Sequence, residues 1–336
     1  MQFLRIFVYN IGENNNNKER GLRQLDRTAY QAIVAEANEP QAREASIQYL
    51  AEHLGKFLRV GEHVLICFQR HEEGNVSWLM EQAVLRCNAI PHVWGQDRRW
   101  KGLLRQTFST KSSVIIGAPL LVLGLTKLAR AYATPLYIRK VITAGYPCLD
   151  WMIDGIVKGF DCVMGGCFNL GMTGVITGFA CGHSWGVHIR EDVYGVDIVD
   201  EDGQPLPDGE LGEMVLYSKK NPEIRFAMGE FARRVTKPCA CGSHTARLMD
   251  FMPGKTHDPA LLPLGQELQS WTSILDCQLK KGEYGLEMDI VAFQGEKLPK
   301  LPSAAKLRLQ YLDIEQDEPF FYDPSLENPA IRQKKD

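Results

Sequence analysis

His63-Val-Leu-Ile-Cys-Phe68 is a short run, apolar after its first residue, and the segment behind it, Val76 to Cys87, carries apolar residues at helical spacing. This pairing then repeats. Ile90 to Trp94 reads as a strand and Trp100 to Phe108 as a helix, followed by strand Ser113 to Gly117 and helix Leu120 to Tyr132. Strand Tyr137 to Ala144, helix Leu149 to Lys158 and strand Asp161 to Phe168 complete the series. Short apolar strands joined by helices need right-handed crossovers, which put the strands parallel and cover both faces of the sheet. The expected class is therefore α/β, a doubly wound, mainly parallel sheet. Upstream, Leu22 to Leu58 has helical periodicity broken at Glu39-Pro40, and Asn14 to Asn17 is a polar loop.

The pattern changes near Gly171. Gly186 to Asp200 alternates apolar and polar residues, Asp202-Gly203 and Pro207-Asp-Gly209 are turn signals, and Gly212 to Tyr217 alternates again, which predicts an antiparallel β unit. A second change comes at Pro253-Gly254-Lys255, where a Pro-rich connector runs to Pro263. Beyond it, Gln266 to Leu279 reads as a helix or a helix followed by a strand, and Leu286 to Phe293 and Lys306 to Leu312 read as strands. The expected organisation is a main domain over 1–257 with its β unit at 171–254, a small C-terminal α+β subdomain over 258–318, and a solvated tail over 319–336.

The 336 residues are 45% hydrophobic and 24% charged, an ordinary globular composition with length for a large core and a smaller appended unit. A formal charge of -3 predicts neither a nucleic-acid footprint nor an anionic membrane surface as partner. The N-terminal apolar run is too short for a secretion signal, and a cytoplasmic location is the expectation. Nine cysteines at irregular spacing argue against a disulfide framework. Cys67, Cys87, Cys162, Cys167 and Cys277 sit among apolar residues and read as small hydrophobes. Cys148 lies between a strand and a helix, but no His partner points to a nucleophile there. The remaining thiols keep company with imidazoles: Cys181-Gly-His183, His188, and Cys239-Ala-Cys241-Gly-Ser-His244. Three thiolates and one neutral imidazole make a closed tetrahedral zinc site, with His183, His188 and His244 as candidates for the fourth ligand.

Four ordered stretches carry a resemblance: Gly186-Val-His-Ile-Arg-Glu-Asp192, Asp202-Gly-Gln-Pro-Leu-Pro-Asp-Gly-Glu-Leu-Gly-Glu213, Ile224-Arg-Phe-Ala-Met-Gly-Glu230 and Cys239-Ala-Cys-Gly242. Val60-Gly-Glu-His-Val-Leu-Ile66 and Ser113-Val-Ile-Ile-Gly-Ala-Pro119 fit more loosely. The chain resembles the acyl-adenylate-forming (AMP-binding) superfamily in its phenylacetate-CoA ligase-like branch. The resemblance implies ATP-dependent activation of a small or aryl carboxylic acid, acyl transfer to a thiol such as CoA, and a homodimer. It also implies a structural zinc on Cys181, His188, Cys239 and Cys241.

Most of the family's nucleotide-handling parts are altered here. Its phosphate loop has no clear counterpart; Gly12-Glu-Asn-Asn-Asn-Asn17 is acidic, with Lys18 only at its edge. Its Tyr-Gly-x-Ser/Thr-Glu motif becomes Leu170-Gly171-Met172-Thr173-Gly174, which loses the aromatic platform and the Mg carboxylate. Its Arg-Tyr-Arg-Thr-Gly-Asp motif becomes Arg225-Phe-Ala-Met-Gly229-Glu230, leaving Glu230 as an acceptor for ribose hydroxyls. The resemblance places an acyl or AMP/ATP site near Ala144, Gly145, Tyr146, Gly171, Thr173, Arg225 and Glu230. Its hinge corresponds to Gly254-Lys-Thr-His-Asp258; Lys297, Lys300 and Lys306 are unranked candidates for its catalytic lysine. These losses argue against Mg binding and normal adenylation. Non-catalytic binding and ATP-independent acyl transfer stand as the alternatives.

Overall fold

The structure is a computed structural model and describes residues 28–68, 71–95, 97–145, 148–171, 173–183, 186–252 and 261–319. Helix α1 covers residues 28–37 and α2 runs Pro40–Leu54. The alternation predicted from sequence follows as β1 (His63–Cys67), α3 (Val76–Arg86), β2 (Ile90–Val93), α4 (Trp100–Ser109), β3 (Val114–Gly117), α5 (Pro119–Ala131), β4 (Lys140–Thr143), α6 (Asp150–Phe160) and β5 (Val163–Asn169). These five strands pair in parallel in the order β2-β1-β3-β4-β5. Side chains of a strand alternate between faces. Leu65, Ile115 and Val141 therefore enter one core with α4, α5 and α6, while Val64, Ile66, Val114, Ile116 and Ile142 enter another with α2 and α3.

The antiparallel unit is not a separate sheet. β6 (Ile176–Phe179), β7 (Val187–Ile189), β8 (Tyr194–Val199), β9 (Leu211–Ser218), β10 (Arg225–Val235) and β11 (Arg247–Met252) extend the first sheet to eleven strands, ordered β2-β1-β3-β4-β5-β6-β7-β11-β10-β9-β8. The change of direction falls between β5 and β6, whose connection is too short for a crossover. The alternating stretch from Gly186 to Asp200 divides into β7 and β8, which lie at different places in the sheet. A turn separates them, with the Val193 and Tyr194 N–H groups donating to Arg190 O.

Helix α7 (Leu262–Ser270) leads into a three-stranded sheet of β12 (Ile274–Gly282), β13 (Gly285–Ala292) and β14 (Lys306–Tyr311). This unit packs on α4 and α5, and its Phe293 and Leu312 belong to the core of the large sheet. Helix α5 is accordingly buried over Pro119–Leu128, including Lys127. An all-round buried helix is expected to be apolar, so the lysine needs partners. Its Nζ donates to Gln269 O and to Ile274 O, the latter at 2.8 Å, and it faces the buried carboxyl of Asp276, which Gln269 Nε2 also reaches at 3.0 Å. Burial pushes the Lys127 pKa down and the Asp276 pKa up. No helix among the described residues is long and apolar enough to cross a membrane.

Candidate functional site

The loops after β4 and β5 are joined by one side chain. Asn169, 1% exposed, accepts from the Gly145 N–H at 2.7 Å through Oδ1 and donates from Nδ2 to Gly171 O at 2.7 Å. Gly145 and Gly171 both have positive φ, 104° and 53°, a conformation that favours glycine. Ala144, Gly145 and Gly171 are thus brought together, by a residue that sequence reading missed. Its signal was a polar amide closing an otherwise apolar strand. Thr173 lies in the second loop, but its hydroxyl is committed to the turn, donating to Leu170 O at 2.6 Å and accepting from Val175 N at 3.2 Å. Tyr146 and the hinge stretch 254–258 lie outside the described residues.

Gly174 is packed against backbone. A Cβ there would lie 2.3 Å from Gly74 O and 3.3 Å from Leu79 Cδ1, so the position has no room for a carboxylate-bearing side chain. Glu230 sits in an irregular stretch of β10, where pairing with β9 jumps from Ala227↔Val215 to Phe231↔Glu213 around Gly229 at φ 73°. Burial raises its pKa to about 8. Arg225 is engaged elsewhere: its guanidinium pairs with Asp197 and stacks 4.8 Å from the Tyr217 ring. Lys297, Lys300 and Lys306 are exposed, on the loop after β13 and at the start of β14.

The thiol and imidazole set does converge. The ligand atoms of Cys181, His188, Cys239 and Cys241 all lie within 4.8 Å of one another. Cys181 follows β6, His188 lies on β7, and the other two occupy the turn between β10 and β11, where Gly242 (φ 85°) donates to Cys239 O at 3.0 Å. Cys181 Sγ and Cys239 Sγ are 3.6 Å apart, and Cys241 Sγ and His188 Nε2 are 3.4 Å apart. A tetrahedral zinc with Zn–S of about 2.3 Å and Zn–N of about 2.0 Å has S–S edges of roughly 3.8 Å and S–N edges of roughly 3.5 Å, so the donors fit such an ion. The S–S separation is far beyond the disulfide length of about 2.05 Å. His188 Nδ1 lies 3.0 Å from Thr245 Oγ1, which directs Nε2 to the cluster. His183 is exposed and bonds the Cys181 carbonyl at 3.1 Å, and His244 is exposed, which leaves His188 as the imidazole of the set.

Beside this cluster is a cavity of about 910 Å³. Its walls come from the start of α6, from β5, β7 and β11, and from Gln266 of α7; the segment between the ligands Cys181 and His188 contributes Gly182, His183, Gly186 and Val187. Cys148 also lines it, as a thiol hydrogen-bonded with Thr143 and pushed by burial up to about 12, so it is not a ready thiolate nucleophile. The buried thiols Cys67, Cys167 and Cys277 are likewise held protonated, in keeping with their reading as small hydrophobes. Of the residues expected at the nucleotide site, the described ones lie outside this lining, although Thr143 and Cys148 flank Ala144 and Gly145 closely in sequence.

No family model matches the sequence, and no curated protein matches it. Solved structures do match. A 2-hydroxyisobutyryl-CoA ligase in its postadenylation state with 2-HIB-AMP superposes with a TM-score of 0.61 at 15% identity, covering 75% of this chain and 58% of that ligase. The same ligase with R3-HIB-AMP gives a TM-score of 0.62 at 13% identity, covering 87% and 72%. A benzoate CoA ligase from Burkholderia xenovorans LB400 gives 0.51 at 14% identity, covering 86% and 65%. The chain therefore spans little more than half the length of the first of these ligases, and what it shares with them is the fold of the acyl-adenylate-forming CoA ligases.

Proposed function

We propose that this chain is a zinc-clamped relative of the phenylacetate-CoA ligase-like branch that binds an acyl group and does not form an acyl adenylate from MgATP. The observation that carries this reading is Gly174. The family's Mg carboxylate belongs at that position, and a single Cβ there would strike the Gly74 carbonyl oxygen at 2.3 Å. Zinc on Cys181, His188, Cys239 and Cys241 fills all four tetrahedral positions with protein donors and leaves none for water, so its role is to hold strands together. The same reading takes residues 1–257 as the main domain and 258–318 as the C-terminal subdomain, and expects a cytoplasmic homodimer.

ATP–pyrophosphate exchange across a panel of small and aryl carboxylic acids tests the reading. No exchange with any acid is the expected result; robust exchange with one of them overturns it. Thermal shift with ATP, AMP and CoA adds a binding readout independent of turnover.

A further inference from the structure

The cavity beside the metal cluster has a lining that specifies its occupant. Met164, Met249, Met252, Trp151, Phe168 and Phe251 contribute thioether and aromatic surface. Thioethers make favourable contacts with aromatic rings and adapt to their shape. At about 910 Å³ the volume is at the upper end of the roughly 300–1,000 Å³ that holds drug-sized ligands. A bicyclic or extended aryl group suits it better than one small ring.

The polar part of the lining selects against a full negative charge. The described lining residues include one imidazole, His183, and no Lys or Arg, whereas Asp150 and Asp250 are both present. Asp250 is paired with Arg233 at 3.0 Å, which leaves Asp150 without an ion-pair partner among the described residues. A carboxylate in the cavity would lie near that like charge. Hydrogen-bond donors are nevertheless available. Helix α6 begins at the wall with no side-chain cap at Leu149. The N-terminal turn of a helix favours an electron-rich oxygen. We propose that the cavity binds an aryl group attached to an uncharged carbonyl, an ester, thioester or amide, in preference to the free aryl carboxylate. This rests on the reading of the chain as an acyl-binding protein and fixes the form in which the acyl group arrives.

The test uses the full chain and three probes sharing one ring system: 2-naphthoate, 2-naphthamide and methyl 2-naphthoate. Affinity is measured by calorimetry, and the site is located by NMR of ¹³C-methyl methionine. The ester and amide are expected to shift the Met164, Met249 and Met252 methyl signals and to bind at least about tenfold more tightly than the acid. Asp150→Asn, an exposed substitution, is expected to narrow that gap by strengthening binding of the acid. Equal or tighter binding of the acid overturns the charge preference while leaving acyl binding intact. Failure of all three probes to move these methyl signals overturns the acyl-binding reading of the cavity itself.

Discussion

Replacing Gly174 with alanine adds one methyl group at the position that the proposed reading sets against the family's carboxylate. The new Cβ would lie 2.3 Å from Gly74 O, inside any allowed contact, and the atom it meets is backbone. Gly74 has little freedom to retreat: it has φ 86°, and a Cβ of its own would meet Asn38 Oδ1 at 2.3 Å. The next residue, Asn75, caps α3 by accepting from Trp78 N at 3.0 Å, and that helix buries Val76, Leu79 and Met80 completely. Moving the Gly74 peptide therefore disturbs a helix start and its packed face. Overpacking of this kind costs about 1–3 kcal/mol. With roughly 2–4 °C per kcal/mol for domains of 150–250 residues, the melting temperature should fall by several degrees. Gly174→Ala is measured by urea unfolding and thermal melting, and Gly174→Glu by ATP–pyrophosphate exchange. The reasoning fails if the alanine variant stays within about 0.5 kcal/mol of the parent. It also fails if the glutamate variant gains exchange activity, because the position would then have had room for a working metal ligand.

The Thr245→Val variant should hold zinc about 10–100-fold less tightly in chelator competition while keeping all four ligands, since His188 loses the group that orients it; unchanged affinity would show that Thr245 does not orient the ring. For Glu230 burial raises the folded pKa from the ordinary carboxylate value of 4.5 to about 8, so folding favours its protonated form and its contribution to stability is lost as pH rises from 4.5 through about 8. Glu230→Gln should therefore flatten the stability profile over that window, and equal pH dependence in parent and variant would refute the assignment. Lys127→Met should lower stability by about 1–3 kcal/mol in urea unfolding, because Gln269 O and Ile274 O lose their buried donor; adding Asp276→Asn should recover part of the loss, and additive losses would rule out coupling.

The parallel half of the sheet was legible because its strands are short, the central β1, β3 and β4 are buried on both faces, and its helices carry a 3.6-residue period, local signals that agree. The antiparallel half was less so. Gly186 to Asp200 reads as one alternating stretch only when the three successive polar residues Arg190-Glu191-Asp192 are passed over, and the hydrogen bonds to Arg190 O and the separate pairings of β7 and β8 put the break there. The thiols of the metal cluster could be picked out by residue type and His188 by the resemblance, while the sheet gives the physical reason, setting His188 opposite Phe179 on β6 and Arg247 on β11. The resemblance sets Gly174 against the family's glutamate, but nothing in the sequence tells that Gly74, one hundred positions earlier, closes the space. Lys127 has no sequence signal for its partners, which come from 142 and 147 residues away.

The position of the metal cluster links stability to ligand binding. Cys181 and His188 bracket a segment that supplies four residues to the cavity wall, while Cys239 and Cys241 lie in the turn leading into β11, which supplies Met249, Phe251 and Met252 to another part of the lining. Within the first segment Gly182 and Gly186 have φ of 75° and 99°, and a Cβ on Gly186 would lie 2.6 Å from Leu248 O, so that wall depends on close backbone packing against β11. Zinc would tie both walls to one point. Without it, three thiols and an imidazole share a pocket with no cation to draw them together, whereas the parallel sheet and its two helix-backed cores lose nothing. Chelation should therefore weaken binding of methyl 2-naphthoate severalfold while leaving the far-ultraviolet circular dichroism nearly unchanged, and restoring zinc should restore binding. Unaltered affinity after verified zinc removal would show that the clamp does not shape the cavity. A global loss of secondary structure would instead place the metal's contribution in the whole sheet.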